Sequence, residues 1–173
     1  MGIQSKWLAA RVYYKDTKGS LQAIQAAVES FLEIVPEDGD ENLPTEEKLH
    51  RDHLRFDQTG EIAEAIQDAK NEASKLSNAV DNCEPRSIFD PRIYKQSWAG
   101  VRAGADEILE SLQRFGITVN EWHGIFAENL FPANGRQRVQ DLLEDIKDLL
   151  SDSSTAFKPL KFKANTKVSG SRK

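Results

Sequence analysis

Apolar residues recur at alternating steps of four and three in one stretch near the middle of the sequence. Its members are Tyr94, Trp98, Val101, Ala105, Ile108, Leu112 and Phe115. Because 3.6 residues make one turn of an α-helix, this spacing keeps one side of a helix apolar along its whole length. Asp90 and Pro91 supply an N-cap and a first-turn proline, so the sequence predicts a helix from about 91 to 115.

Three other segments with the same kind of spacing are predicted to be helices. They are 21–35, which Pro36 ends, 59–81, and 139–150, which follows Asn134-Gly135. The helix over 59–81 is compatible with an earlier start at Thr45, because Gly60 costs only about 1 kcal/mol inside a helix. One long helix and two shorter ones both fit residues 45–82.

A break between two helices is predicted beside Gly116, which can end a helix in a left-handed conformation because it has no Cβ atom. Thr118 and Glu121 have the spacing of a reciprocal capping box, and Ile117 and Trp122 flank it at the positions of a hydrophobic staple. The sequence therefore predicts a tight corner here and a new helix that starts at Thr118.

The first segment, residues 3–15, is compatible with two kinds of element. Trp7 and Tyr14 have helical spacing, whereas Leu8, Val12 and Tyr14 fit one face of a strand. A helix is favoured because no second strand is found before the C-terminal tail. The chain is therefore predicted to be all-α, a single-domain antiparallel bundle of about five to seven helices over residues 1–154.

A basic tail, residues 155–173, follows this predicted domain. It contains no acidic residue, and its basic residues are Lys158, Lys161, Lys163, Lys167, Arg172 and Lys173. The whole chain has a net charge of −5, so residues 1–154 carry −11. This acidic body is expected to repel nucleic acid, which binds basic surfaces. The tail is expected to be flexible, and its six basic residues are the predicted contacts for an anionic partner such as a membrane surface.

No residue pattern predicts a catalytic, cofactor or metal site. The nearest match to a metal motif is formed by Glu47, His50, His53 and Asp57. A di-iron helical bundle needs a second Glu-x-x-His motif, which the chain lacks, so an exposed polar helix face is the preferred interpretation. Cys83 is the one cysteine, and the charges of nearby Asp81 and Glu84 are expected to raise its pKa and disfavour the reactive thiolate.

Three functions follow as hypotheses. The leading one is a non-enzymatic helical module for protein–protein interaction, an adaptor that docks a partner or a second copy through an apolar helix face. The first alternative is a peripheral helical bundle that binds anionic lipid with its basic tail. The second alternative is a small helical metal-binding enzyme that uses residues 47–57. Because a single cysteine forms no intrachain disulfide, a cytoplasmic location is expected.

Overall fold

The computed structural model describes residues 3–35, 43–128, 130 and 134–160. All regular elements among these residues are α-helices, which confirms the predicted all-α class. They are α1 (Ile3–Leu32), α2 (Thr45–Asp81), α3 (Arg92–Ala127) and α4 (Gly135–Ala156). A short helical turn at residues 158–160 follows α4.

Hydrogen bonds at the end of α1 show how the helices are placed. In the third turn of α2, Arg55 Nε donates to the carbonyl of Ile34, just after α1, at 2.7 Å. In the first turn of α4, Arg136 Nη1 donates to the carbonyls of Leu32 and Val35, at 3.0 Å each. The early turns of α2 and α4 therefore both lie beside the end of α1. Both helices also pack against α3, and the four enclose one apolar core.

α1 joins the ambiguous first segment and the predicted helix over 21–35 into one helix. Trp7 and Tyr14 are buried, whereas Leu8 and Val12 are exposed. Burial therefore follows the helical period, and the strand alternative for residues 3–15 is wrong. Gly19 lies inside the helix without interrupting it.

α2 is also continuous from Thr45 to Asp81, which decides the question that Gly60 left open. Thr59 and Ile62, on either side of the glycine, are both buried. Their packing offsets the backbone entropy that a glycine loses inside a helix.

The predicted corner at Gly116 is wrong, because α3 runs through it without a break. Val119 and Trp122 continue the buried stripe beyond this point, and Ile117, at the staple position, remains 61% exposed. A Cβ atom at Gly116 would lie 3.2 Å from Lys70 Nζ, so the glycine faces α2 closely. Burial of the longer stripe outweighs the local capping signals. The described residues form four long helices and the short helical turn at residues 158–160, against the predicted five to seven helices.

The first residues of the predicted tail belong to the helical body. α4 extends to Ala156, and Phe157 and Leu160 are buried. The Phe157 ring stacks on Tyr14 of α1, with the ring centroids 4.2 Å apart and the planes 5° from parallel. A truncation that removes the basic tail and spares the core therefore has to end at Leu160.

Two glycines of α3 offer a matched test of how closely the end of α4 approaches. A Cβ atom at Gly104 would lie 2.7 Å from the Ala156 Cβ and 3.0 Å from Phe157 Cε2, whereas one at Gly100 meets nothing within 4 Å. We expect Gly104→Ala to lower the free energy of unfolding by about 1–3 kcal/mol through overpacking. Gly100→Ala is expected to raise it by about 0.5–1 kcal/mol, because alanine favours a helix. Urea unfolding measures both changes, and a gain in stability from both variants would contradict the close approach.

Candidate functional site

The corner between α2 and α3, residues 82–91, leaves large apolar side chains in solvent. Ile88 is 86% exposed and Phe89 is 88% exposed, and Ile93 in the first turn of α3 is 72% exposed. Single exposed apolar residues are common on protein surfaces, but three of them within six residues form a patch. This patch is the strongest candidate for a binding surface among the described residues.

Hydrogen bonds hold the backbone of the corner in one conformation. The Asp90 carboxylate accepts from the backbone N–H groups of Arg86 and Ser87, at 3.1 Å each, and the Ser87 hydroxyl accepts from the N–H of Phe89, also at 3.1 Å. Lys95 Nζ donates to the carbonyl of Ile88 at 3.4 Å. Short polar side chains commonly stabilise turns in this way. Ile88 and Phe89 are thus displayed by an ordered turn.

Side chains of α3 anchor the corner to the end of α2. The Trp98 indole donates to the carbonyl of Val80 at 2.9 Å, Arg102 Nη1 donates to that of Ser77 at 3.1 Å, and the Tyr94 hydroxyl donates to that of Cys83. Ser77, Val80 and Cys83 lie at or just after the end of α2, so these bonds tie the first turns of α3 to that end. Hydrogen bonding to Asp106 raises the pKa of Arg102, so this anchor keeps its positive charge.

Charges are distributed unevenly along the helices. The half of the molecule that contains the corner comprises residues 3–19, 69–112 and 150–160, with eleven basic and nine acidic residues. The remaining described residues, 20–35, 43–68, 113–128, 130 and 134–149, include seven basic and fifteen acidic residues. We call these parts the corner half and the acidic half. Arg86 and Arg92 are both exposed beside the apolar patch.

The site residues predicted from the sequence are only partly described. Lys158 is exposed in the turn after α4 and lies in the corner half. The other five, Lys161, Lys163, Lys167, Arg172 and Lys173, lie outside the described residues, so their contact with an anionic partner stays a prediction. Sequence reasoning missed the corner, although a signal exists: Ile88-Phe89 stands between Pro85 and Pro91 in a segment with no helical spacing.

The residues considered for metal binding are exposed along the early turns of α2. His50 and His53 are exposed on α2, and Glu47 pairs with Arg51 at 3.7 Å. Within the ranges that the structure describes, no three His, Cys, Asp or Glu side chains are grouped as a metal ion requires.

Cys83 is buried at the corner, and its thiol donates to the carbonyl of Ala79 at 3.3 Å. Burial raises its pKa to about 11, while nearby Lys6 acts in the opposite direction. The direction agrees with the sequence-based expectation, but the cause is burial and not the charges of Asp81 and Glu84. The thiol is therefore protonated at neutral pH and a poor nucleophile.

None of the described helices is both long enough and apolar enough to cross a membrane. Comparisons of the chain with protein-family models, with curated protein sequences and with solved structures found no match.

Proposed function

We propose that this protein is a non-enzymatic interaction module, built on an antiparallel helical bundle, that attaches to anionic lipid surfaces through its corner half. One observation carries the proposal: an ordered corner displays Ile88 and Phe89 almost fully in solvent, next to exposed Arg86 and Arg92. Exposed apolar side chains with cations beside them suit the boundary between acyl chains and anionic headgroups.

The energies are sufficient for reversible attachment. Burial of a large apolar side chain contributes about 1.5–3 kcal/mol, and each Lys or Arg near an anionic surface adds about 1 kcal/mol. Two apolar residues and two arginines thus contribute about 5–8 kcal/mol, which corresponds to a dissociation constant between about 0.2 mM and 1 μM. The basic tail, which begins in the same half of the molecule, would add to this attraction.

The negative charge of the acidic half does not oppose contact between the corner and an anionic lipid surface. Residue 113 of α3 follows Arg92 by 21 residues, or roughly 30 Å along the helix axis. The Debye length at physiological ionic strength is only about 8 Å, so the carboxylates of the acidic half are screened from a surface that touches the corner. Cytoplasmic leaflets carry anionic lipid, in agreement with the cytoplasmic location expected from the sequence.

The apolar stripes, from which the sequence predicted docking of a partner through a helix face, pack the helices against one another. Tyr94, Val101, Ile108 and Phe115 are buried in the core that α3 shares with its neighbours. They are not available to a partner while the helices are packed. For this reason we favour lipid attachment through the corner over docking of a protein partner on an apolar helix stripe.

A co-sedimentation assay tests the proposal. We expect the chain to pellet with vesicles of phosphatidylcholine and phosphatidylserine but not with phosphatidylcholine alone. The double variant Ile88→Ser/Phe89→Ser should bind at least about tenfold more weakly, because it loses two apolar contacts with the lipid. Ile117→Ser is the matched control, since it removes an exposed apolar side chain from the acidic half. The proposal fails if the two variants lose affinity equally, or if the chain binds neutral vesicles as well as anionic ones.

A chain that ends at Leu160 separates the tail from the corner in the same assay. We expect it to bind anionic vesicles more weakly than the full chain, with a smaller dependence on salt, because five basic residues are removed. Equal binding of the two chains would show that residues 161–173 do not contribute to vesicle binding. The corner would remain the proposed contact.

Self-association is the second candidate, and the start of α2 favours it. No residue of α2 before Arg55 is buried, and Leu49 and Leu54 are exposed there near Glu46 and Glu47. Residues 45–54 carry three acidic and two basic side chains, and this partly apolar surface complements the apolar corner of a second copy in a head-to-tail contact. Light scattering that gives a strict monomer at high protein concentration would remove this candidate.

A further inference from the structure

A groove between α1 and α2, in the corner half, has the chemistry of a headgroup site. It is lined by Lys6, Ala9, Tyr13, Lys75, Asn78, Ala79 and Asn82, and encloses a volume of about 410 Å³. This volume lies within the range of small-ligand sites. Five of the lining side chains carry hydrogen-bond donors, and none is a carboxylate, in a chain whose acidic residues outnumber its basic ones.

The lining follows from the helical period on both sides of the groove. Lys6, Ala9 and Tyr13 lie three and then four residues apart on α1, so they share one face of that helix. Lys75 and Asn78 of α2 and Asn82, which follows its last residue, have the same spacing. Each of these two groups of three residues therefore begins with a lysine, and the two residues that follow it are neutral.

The antiparallel arrangement places the two lysines at opposite ends of the groove. α1 and α2 pass each other with Lys6 at the level of the corner and Lys75 about two turns away, roughly 10 Å along the axis. By the same spacing, Asn82 lies at the level of Lys6, Tyr13 at the level of Lys75, and Asn78 between the two lysines. The hydroxyl and the two amides can donate to and accept from neutral hydroxyl groups. The alanines, Ala9 and Ala79, leave room between the two helices.

Lys75 has a competing partner. Its Nζ lies 3.4 Å from Glu72 Oε1, but 58% of the Lys75 side chain is exposed and the pair lies within one helix. Exposed pairs of this kind contribute little to stability. A bound phosphate, with more charge and more acceptor oxygens than a carboxylate, therefore competes effectively for this lysine.

We propose that this groove binds the phosphorylated polyol headgroup of a membrane lipid, with a phosphate at each lysine and the polyol hydroxyls on Tyr13, Asn78 and Asn82. The inference rests on the proposed function, because it names the anionic lipid that the corner half meets. The groove reaches Asn82, the residue at which the corner begins, so a headgroup bound there would lie at the same end of the molecule as Ile88 and Phe89.

Vesicles matched for total negative charge test the choice of lipid. We expect the full chain to bind phosphatidylcholine vesicles containing a phosphatidylinositol monophosphate about tenfold more tightly than vesicles containing phosphatidylserine. Lys6→Gln/Lys75→Gln should abolish this preference and leave phosphatidylserine binding reduced only slightly. Arg11→Gln/Lys15→Gln is the control, since it removes the same charge from exposed positions of α1 in the corner half and should weaken binding to both lipids alike.

Soluble probes separate the headgroup from phosphate alone. Inositol bisphosphate is expected to shift the NMR signals of the Asn78 and Asn82 side-chain amides, and inorganic phosphate at the same concentration should not. Equal responses to the two probes, or equal effects of the two double variants on both lipids, would overturn the headgroup site. If phosphatidylserine vesicles still bind through Ile88 and Phe89 in that case, the proposed function survives. Failure of the full chain to bind any anionic vesicle would overturn both.

Discussion

Replacement of Arg55 by methionine is expected to lower the free energy of unfolding by about 3–5 kcal/mol. The Arg55 side chain is fully buried, with Nε donating to the Ile34 carbonyl at 2.7 Å and Nη1 to the Asp52 carboxylate at 3.2 Å. Methionine fills a similar length but has no donor. The carbonyl after α1 would lose its hydrogen bond, and Asp52, whose side chain is only 13% exposed, would lose a neighbouring positive charge.

Arg51 provides the control for this variant. It lies one turn earlier on α2, and its exposed guanidinium pairs with Glu47 at 3.7 Å. Arg51→Met removes the same charge from the same helix, and we expect a loss below about 1 kcal/mol. Urea unfolding of both variants gives the two values. Similar losses would mean that Arg55 contributes no more than a surface ion pair.

Phe157→Ala is expected to have a comparable effect, a loss of about 3–5 kcal/mol. The ring is fully buried, stacks on Tyr14 and fills the space that Gly104 leaves beside α4. Its removal leaves a cavity between Tyr14 of α1 and Gly104 of α3. The turn that leads to Leu160 would lose its attachment as well.

Phe89→Ala is the matched control, because it removes the same ring from a position that is 88% exposed. We expect it to leave the thermal midpoint almost unchanged and to weaken vesicle binding, whereas Phe157→Ala should lower the midpoint by several degrees. Equal thermal effects of the two variants would contradict the assignment of Phe157 to the core.

The sequence correctly predicted a helix where the apolar spacing and the residues that typically start or end helices indicate the same boundaries. The stripe ending at Val80 and the Asn134-Gly135 start of α4 are examples, and both agree with the structure. At Gly116 the two kinds of signal disagree. A glycine and a capping box are local features, whereas Val119 and Trp122 gain their burial only from packing against other helices. That packing decides the outcome, and it is not visible in a short window of sequence.

The candidate site was less predictable than the fold. The lysines of the tail are evident from composition alone, but exposure of Ile93 could not be foreseen, since an isoleucine in the first turn of a helix is as often buried. The groove depends on which residues of α1 stand opposite which residues of α2. Lys6 and Lys75 are far apart in the sequence, and only the register of the two helices brings their faces together.

The unbroken course of α3 has a mechanical consequence. With 36 residues it is a rod about 54 Å long, and it connects the corner to Trp122 and Phe126, which pack against Phe31 of α1. A helix with a hinge at Gly116 would absorb a tilt locally. A continuous helix instead leaves no hinge between the corner and the opposite end of the molecule.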